Sequence, residues 1–403
     1  MSYLRLERDA DGIVELIFDQ QGKSVYVMGD EYAEAMPKAL DELEAMAGEL
    51  KGVYVRSGKP GQFFAGGDIN KMLEMELNPS DEQREAMFRG ILESKEPLAR
   101  LERLGVPVAV GINGAALGGG FEIALACHRR FALQERSVKI GLPEAMLGLM
   151  PGAGGVVRMV RLLGMQEALT LISQGRQLDP GRALEKGLVH ELADSEEEMA
   201  RKAKAWILAN AEAKQPWDEA GYTIPGGGPD DPATQGLTYF GPVNVMVQTR
   251  GNMPAQQVIM AAVIDSARVD YDTAHLIEAR YFQRLLLDQV ARNMMTTFFV
   301  QMNQLDGGAS RPAGIDKTEV RKLGILGAGV MGAGIAFTAA KSGIEVVLKD
   351  LNRENAEQGK AYAATACEKN RRIDEAQAEK ILSRILPTGE AGDLAGCCLL
   401  YTS

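Results

Sequence analysis

Residues 13–18, IVELIF, alternate along the chain and predict a strand; GVYVRSG at 52–58 and VPVAVGI at 106–112 predict two more. Between the first two lies 31–50, EYAEAMPKALDELEAMAGEL, whose apolar positions recur at helical spacing. Strand and helix in alternation predict an α/β unit with mostly parallel pairing. Helical patterns resume at 155–175 and 195–213. The stretch 214–254 is dense in Pro and Gly and predicts a long exposed loop. Helical periodicity then returns over 254–304, and DGGASRPAG at 306–314 reads as a linker. Beyond it, VRKLGILGAGVMGAGIAFTAAKSGIEVVLKD predicts a strand, a helix and a second strand in one βαβ unit.

Composition narrows the class. A chain of 403 residues suggests two or three units, and 46% hydrophobic with 25% charged residues is ordinary for a soluble globular protein. The formal net charge of −11 argues against nucleic acid or an anionic membrane as partner, since both attract basic surfaces. The N-terminal stretch has no signal-peptide pattern, and no apolar run approaches a membrane span. Cys127, Cys367, Cys397 and Cys398 form neither a metal-ligand spacing nor a disulfide framework. His128, His190 and His275 are dispersed, which disfavours a zinc site or a His-based triad. These observations predict a cytoplasmic enzyme, without metal, whose chemistry rests on other residues.

The candidate chemistry lies in glycine-rich turns. In VGINGAALGGGFEIALACHRRFA (110–132), a strand ends near Ile112, the chain turns through glycines, and a helix follows with Glu122 in its first turn. The first N–H groups of a helix lack intrahelical partners and sit at the positive end of its dipole. Glycine lets a ligand approach them, and one such donor to a developing oxyanion contributes roughly 3–4 kcal/mol to a barrier. Two further turns share this character: FFAGGDI at 63–69, and IGLPEAMLGLMPGAGG, which carries Glu144 after Pro143. Two N–H groups would polarise a carbonyl while two carboxyls move protons on the neighbouring carbons.

The AGGDI, NGAALGGGFE and GLPEAMLGLMPGAGG segments resemble the enoyl-CoA hydratase/isomerase (crotonase) family, over about residues 10–300. The resemblance implies a ββα spiral core acting on a coenzyme A thioester. It places the oxyanion hole at the N–H groups of Ala65 and Gly119, with Gly66, Gly67, Asp68, Ile69 and Gly118 contacting substrate or CoA. Glu122 and Glu144 match the family's catalytic glutamates, which would hold a water between them and add it across an α,β double bond. Asp68 is read as a helix cap rather than an acid catalyst, and His128 as structural. The Glu122–Glu144 interval of 22 residues is longer than usual, with the surplus expected in a hairpin at LQERS.

The second candidate site is Gly327-x-Gly329-x-x-Gly332, after a strand and opening a helix, with Asp350 ending the next strand. Strand, glycines, helix, strand and acid in register predict a Rossmann unit. Its pyrophosphate would rest on the helix N-terminus at Val330 and Met331, and Asp350 on the adenine ribose would favour NAD. The segment resembles the opening of 3-hydroxyacyl-CoA dehydrogenases. Together the two resemblances imply a multifunctional β-oxidation enzyme of the bacterial α-subunit type, for which a 3-ketoacyl-CoA thiolase partner is expected.

The expected organisation is therefore an α/β chain: a crotonase core over 1–213, a loop and helical linker region over 214–305 that completes it, a linker over 306–317, and a truncated NAD-binding Rossmann domain over 318–403. The dehydrogenase's downstream His–Glu pair and helical domain are not in these residues. The ending CCLLYTS departs from the family pattern, so residues from about 398 are expected to be non-native and not to continue the sheet as a well-packed, functional strand. The expected activity is enoyl-CoA hydration with Δ3–Δ2-enoyl-CoA isomerase side activity and no hydride transfer. The alternatives are an isomerase alone and a non-catalytic CoA- or NAD-binding module of a larger complex.

Overall fold

The computed structural model describes residues 3–20, 22, 25–370 and 373–402, in two units, Met1–Ser310 and Arg311–Ser403. The strands of the first unit are β1 (Leu4–Arg8), β2 (Ile13–Phe18), β3 (Gly52–Ser57), β4 (Val108–Ile112), β5 (Ala116–Leu117), β6 (Arg129–Leu133), β7 (Ile140–Gly141), β8 (Gln177–Leu178) and β9 (Glu191–Ala193). A six-stranded sheet runs in the order β1-β2-β3-β4-β6-β9. Only β1–β2 is antiparallel; the other neighbours in it pair parallel, for instance Val53 opposite Val108 and Ala109 opposite Arg129. Parallel strands are covered on both faces, which is why β4, VAVGI, is buried at every residue.

A smaller sheet, β5-β7-β8, lies where the glycine turns meet, with β5–β7 parallel and β7–β8 antiparallel. Isolated bridges tie Met28 to Gly67 and Phe64 to Ala116, so the 63–69 and 113–120 turns are stitched together by backbone. The LQERS stretch turns between β6 and β7, but these strands belong to different sheets; it is a crossover, not the expected hairpin.

Two long helices flank the turns. Asp81–Glu102 starts at a capping box, in which Ser80 receives the Gln83 N–H and the Gln83 side chain receives the Ser80 N–H. Tyr271–Leu286 starts at Asp270, which accepts from the Thr273 N–H. The helix Pro254–Ser266 and residues through Met295 join the same apolar core as the strands. The stretch expected to be a loop over 214–254 is partly helical: a π-helical turn over Gly236–Phe240 leads into a helix over Gly241–Thr249. Pro242 sits in that helix's first turn, where its missing N–H costs nothing.

The second unit holds β10 (Lys322–Leu326), β11 (Glu345–Lys349), β12 (Ile385–Thr388) and β13 (Leu399–Thr402), all parallel in the order β12-β11-β10-β13. Its core is small and rich in alanine, with Ile325, Val346 and Leu348 from the strands. The chain's last residues do add a strand to the sheet, but not a well-packed one. Leu399–Thr402 pairs with β10, Leu323 opposite Leu399 and Leu326 opposite Thr402, because the apolar LLYT run satisfies the free edge of β10. Its side chains remain exposed, and Ser403 lies outside the described residues. No helix among the described residues is long and apolar enough to cross a membrane.

Candidate active site

The turn 113–120 delivers a helix, Gly119–Ala126, whose eight residues are all buried. Its glycines answer to three different neighbours. A Cβ on Gly118, which has φ of 54°, would stand 2.8 Å from Glu144 Oε1. One on Gly119 would stand 2.5 Å from Met28 Sδ, and one on Gly120 would collide with the carbonyl of Phe64. The glycines thus let two turns and a carboxylate share one small volume.

That volume opens into a cavity of about 450 Å³. Glu122, Glu144, Gly67 and Gly119 line it, with Tyr32, Ile69, Met72, Leu147, Met150 and Phe282 among the largely apolar walls. Among the described residues no hydrogen bond uses the N–H of Gly67 or of Gly119. Ala65 is different, and the expected oxyanion assignment is corrected at that residue. Its N–H donates to the carbonyl of Tyr26 at 3.0 Å, and Ala65 does not line the cavity. Gly67, two residues further on, lines the cavity instead. Of the other expected contacts, Ile69 lines the cavity. Gly66 accepts the Met28 N–H at 2.8 Å, Gly118 donates to the carbonyl of Gly141 at 3.0 Å, and Asp68 caps the helix Ile69–Glu74 by accepting from Asn70 and Lys71 N–H.

Glu122 is buried, and its Oε1 accepts the N–H groups of Ala153 and Gly155, both at 2.7 Å. Its Oε2 has no hydrogen bond among the described residues. Burial, then the Glu278 carboxylate, push the Glu122 carboxyl up to about 7, against the two N–H donors and Lys95, which favour the anion. Glu144 keeps some accessible surface through the cavity, but its Oε2 is buried without a hydrogen-bond partner among the described residues. Burial first and the Glu122 carboxylate second hold Glu144 well above the usual carboxylate range. The Glu122 carboxylate thus disfavours ionisation of Glu144, as the Glu278 carboxylate does that of Glu122.

Behind Glu122 stand residues that the sequence reading did not single out. Glu278, fully buried, accepts the N–H groups of Gly154 at 2.7 Å and Val157 at 3.1 Å, and pairs with Lys95 at 2.8 Å. Arg158, also fully buried, pairs with Glu102 at 3.0 Å, and Tyr271 donates to the same carboxylate. His128 is structural: Nδ1 accepts the Val108 N–H at 2.9 Å, and Nε2 lies 3.1 Å from the Glu102 carbonyl. No cluster of three or more His, Cys, Asp or Glu suited to a metal occurs among the described residues.

In the second unit, Gly327 has φ of 100°, a conformation open to glycine, and no atom lies within 4 Å of where a Cβ on Gly329 would stand. Gly332 is buried in the helix Val330–Lys341, while Val330 and Met331 are exposed in its first turn. Asp350 follows β11, and its Oδ2 accepts the Ala328 N–H at 2.6 Å, which with the Leu351 N–H holds it below the usual carboxylate range. A turn with room for a phosphate, a helix N-terminus and an ionised acid fit a dinucleotide.

A spiral of parallel strands whose glycine turns bring two acids to one cavity is the crotonase fold, and a parallel sheet with the glycine turn after its first strand is a Rossmann unit. Residues 16–216 belong to the enoyl-CoA hydratase/isomerase family, and residues 322–401 match the 3-hydroxyacyl-CoA dehydrogenase NAD binding domain. The chain is 31% identical over 393 residues to the fatty acid oxidation complex subunit alpha of Idiomarina loihiensis, covering 92% of this chain and 52% of that protein. The protein of the same name from Shewanella loihica is 32% identical over 363 residues, covering 89% and 49%. The chain thus spans about half the length of the curated relatives it matches. Among solved structures, human mitochondrial delta3-delta2-enoyl-CoA isomerase aligns with a TM-score of 0.51 at 18% identity, over 76% of this chain and 100% of that one; this shows the fold alone.

Proposed function

We propose that the first unit hydrates 2-enoyl-CoA thioesters to 3-hydroxyacyl-CoA. The observation that carries this reading is the convergence of two acids, Glu122 and Glu144, and two unused N–H groups, of Gly67 and Gly119, on one apolar-walled cavity. Gly67 and Gly119 donate to the thioester oxygen, which draws electrons from Cβ and stabilises the enolate that forms. Water bonds to Cβ through its oxygen and gives a proton to Glu122; Glu144 gives its proton to Cα. The pair ends with one proton, as it began, and one water has been added. The apolar walls at Ile69, Met72, Leu147 and Phe282 suit an acyl chain.

Moving a proton between Cγ and Cα needs only one acid/base, so Δ3–Δ2 isomerisation is a side activity of Glu144 in this reading. The presence of a second buried acid favours hydration over isomerisation alone. Loss of the enoyl absorbance of crotonyl-CoA with the purified chain tests the proposal. No hydration at any acyl length would overturn it; conversion of 3-enoyl-CoA without hydration would favour the isomerase, and binding without turnover a non-catalytic module.

For the second unit we propose NAD binding, the turn 327–332 holding the pyrophosphate and Asp350 the adenine ribose. Residues 327–332 and Asp350 would hold NAD, which would supply a hydride acceptor for a 3-hydroxyacyl-CoA. Residues 311–403 contain no histidine, so we propose that a chain of these 403 residues alone hydrates without forming NADH. The relatives are named as a subunit of a fatty acid oxidation complex, which supports β-oxidation as the context; we further propose a 3-ketoacyl-CoA thiolase as the partner that would consume the oxidised product.

A further inference from the structure

The loop over 151–155 runs between two carboxylates that use its N–H groups in turn. Ala153 and Gly155 donate to Glu122, while Gly154, and Val157 beyond the loop, donate to Glu278. Glu278 comes from the helix Tyr271–Leu286 and is anchored by Lys95 from the helix Asp81–Glu102, whose Nζ also donates to the His275 carbonyl at 2.9 Å. The Lys95 and Glu278 side chains are 6% and 0% exposed, and neither residue lines the cavity. A buried ion pair of this kind contributes little net stability over an apolar pair, so stability alone does not account for it.

We propose that Glu278 and Lys95 are a positioning pair for Glu122: Glu278 grips the loop from behind so that two N–H groups fix Glu122 Oε1 and leave Oε2 to the reacting water, and Lys95 balances the charge that this grip brings near Glu122. The inference rests on the hydratase reading for its activity readout. It assigns work to residues from two helices that meet only in the folded unit. The charge balance gives it a signature. Removing Lys95's charge leaves Glu278 uncompensated and disfavours the Glu122 anion; removing Glu278's charge leaves Lys95 and favours it. The other titratable groups that interact with Glu122 are Tyr32 and Glu144, while Arg158 faces Glu278 and His275 faces Lys95; all four remain unchanged in both variants.

The test compares Lys95→Gln, Glu278→Gln and the double variant in the full chain. Each amide keeps a polar partner for its neighbours. The acid–base midpoint of Glu122 is read twice: from the pH profile of crotonyl-CoA hydration, and by carboxyl NMR of glutamate-labelled protein without substrate, assigned with Glu122→Gln. The expected result is a rise of about one unit in Lys95→Gln, a fall of about one unit in Glu278→Gln, and a near-normal value in the double variant. kcat should fall roughly ten- to a hundredfold in the single variants, with KM little changed. Shifts in the same direction, no shift, or a loss confined to KM would overturn the proposal. Should a single amide not fold, Lys95→Met with Glu278→Met removes both charges and the loop's anchor; a normal kcat there would overturn it too. If wild type does not hydrate but the NMR midpoints move in opposite directions, the hydratase reading fails and the pairing stands.

Discussion

Replacing Glu122 by glutamine separates what this residue does for catalysis from what its burial costs the fold. The side chain is 3% exposed, and its carboxyl titrates at about 7 in the folded chain against an ordinary 4.5. The folded state therefore binds a proton that the unfolded state has released, in the window from about pH 4.5 to about 7. Stability from this group is fully present below 4.5 and is lost as pH rises through 7. A shift of that size corresponds to at most about 3 kcal/mol at pH 8, with part of it shared with Glu144. Glutamine offers an oxygen to the N–H groups of Ala153 and Gly155 in place of Oε1 and brings no charge toward Glu278. Glu122→Gln should consequently match wild type in stability at pH 4.5 and exceed it by up to about 3 kcal/mol at pH 8. Hydration should fall by roughly 10²–10⁴-fold. Denaturant unfolding followed by tryptophan fluorescence reads the first unit alone, since Trp206 and Trp217 are the only tryptophans and both lie there. A variant less stable than wild type at pH 8, or one that still hydrates normally, would refute the reasoning.

Other outcomes follow from the same geometry. Glu144→Gln should lower crotonyl-CoA hydration by roughly 10²–10⁴-fold, because its buried Oε2 is the proton donor in this reading; a near-normal rate would remove it from the mechanism. Gly119→Pro tests the oxyanion donor at a helix's first position, where proline is tolerated, with Met28→Ala added because a Cβ there would stand 2.5 Å from Met28 Sδ. That double variant should lose roughly 10²–10³ in kcat relative to Met28→Ala alone, and equal rates would place the oxyanion elsewhere. Asp350→Ala should weaken NAD binding measured by calorimetry at least tenfold, since it removes both the proposed ribose acceptor and the anchor of the Ala328 N–H; unchanged affinity would show that Asp350 is only structural.

How much of this could be read from sequence depends on how far apart the cooperating residues are. Strand β2 and the carboxylates Glu122 and Glu144 lie in short contiguous patterns, and the patterns carry them. The Ala65 assignment failed by two residues because the decisive fact is a pairing across the fold: Tyr26 takes the Ala65 N–H, and Met28 bridges to Gly67. Nothing in AGGDI alone says which of its N–H groups is already used. The helix Gly241–Thr249 was hidden because Gly241 and Pro242 read as breakers, although proline in a first turn is a start signal. The run at 399–402 pairs with β10 although its side chains stay exposed, a packing that its apolar residues alone do not reveal. Glu278 and Lys95 were beyond reach altogether. Each is one charged residue on an amphipathic helix, and such residues are usually solvated. A sequence signal existed only in hindsight: both fall among apolar neighbours, Ile91 and Leu98 around Lys95, and Ala274 and Ala279 beside Glu278, all buried. A charge on the buried face of a helix needs a partner, and two helices that bury charges of opposite sign can supply it to one another. The pairing places both behind Glu122 rather than merely in the core. The acid that sequence identifies is therefore held in its working state by groups that only the fold brings together.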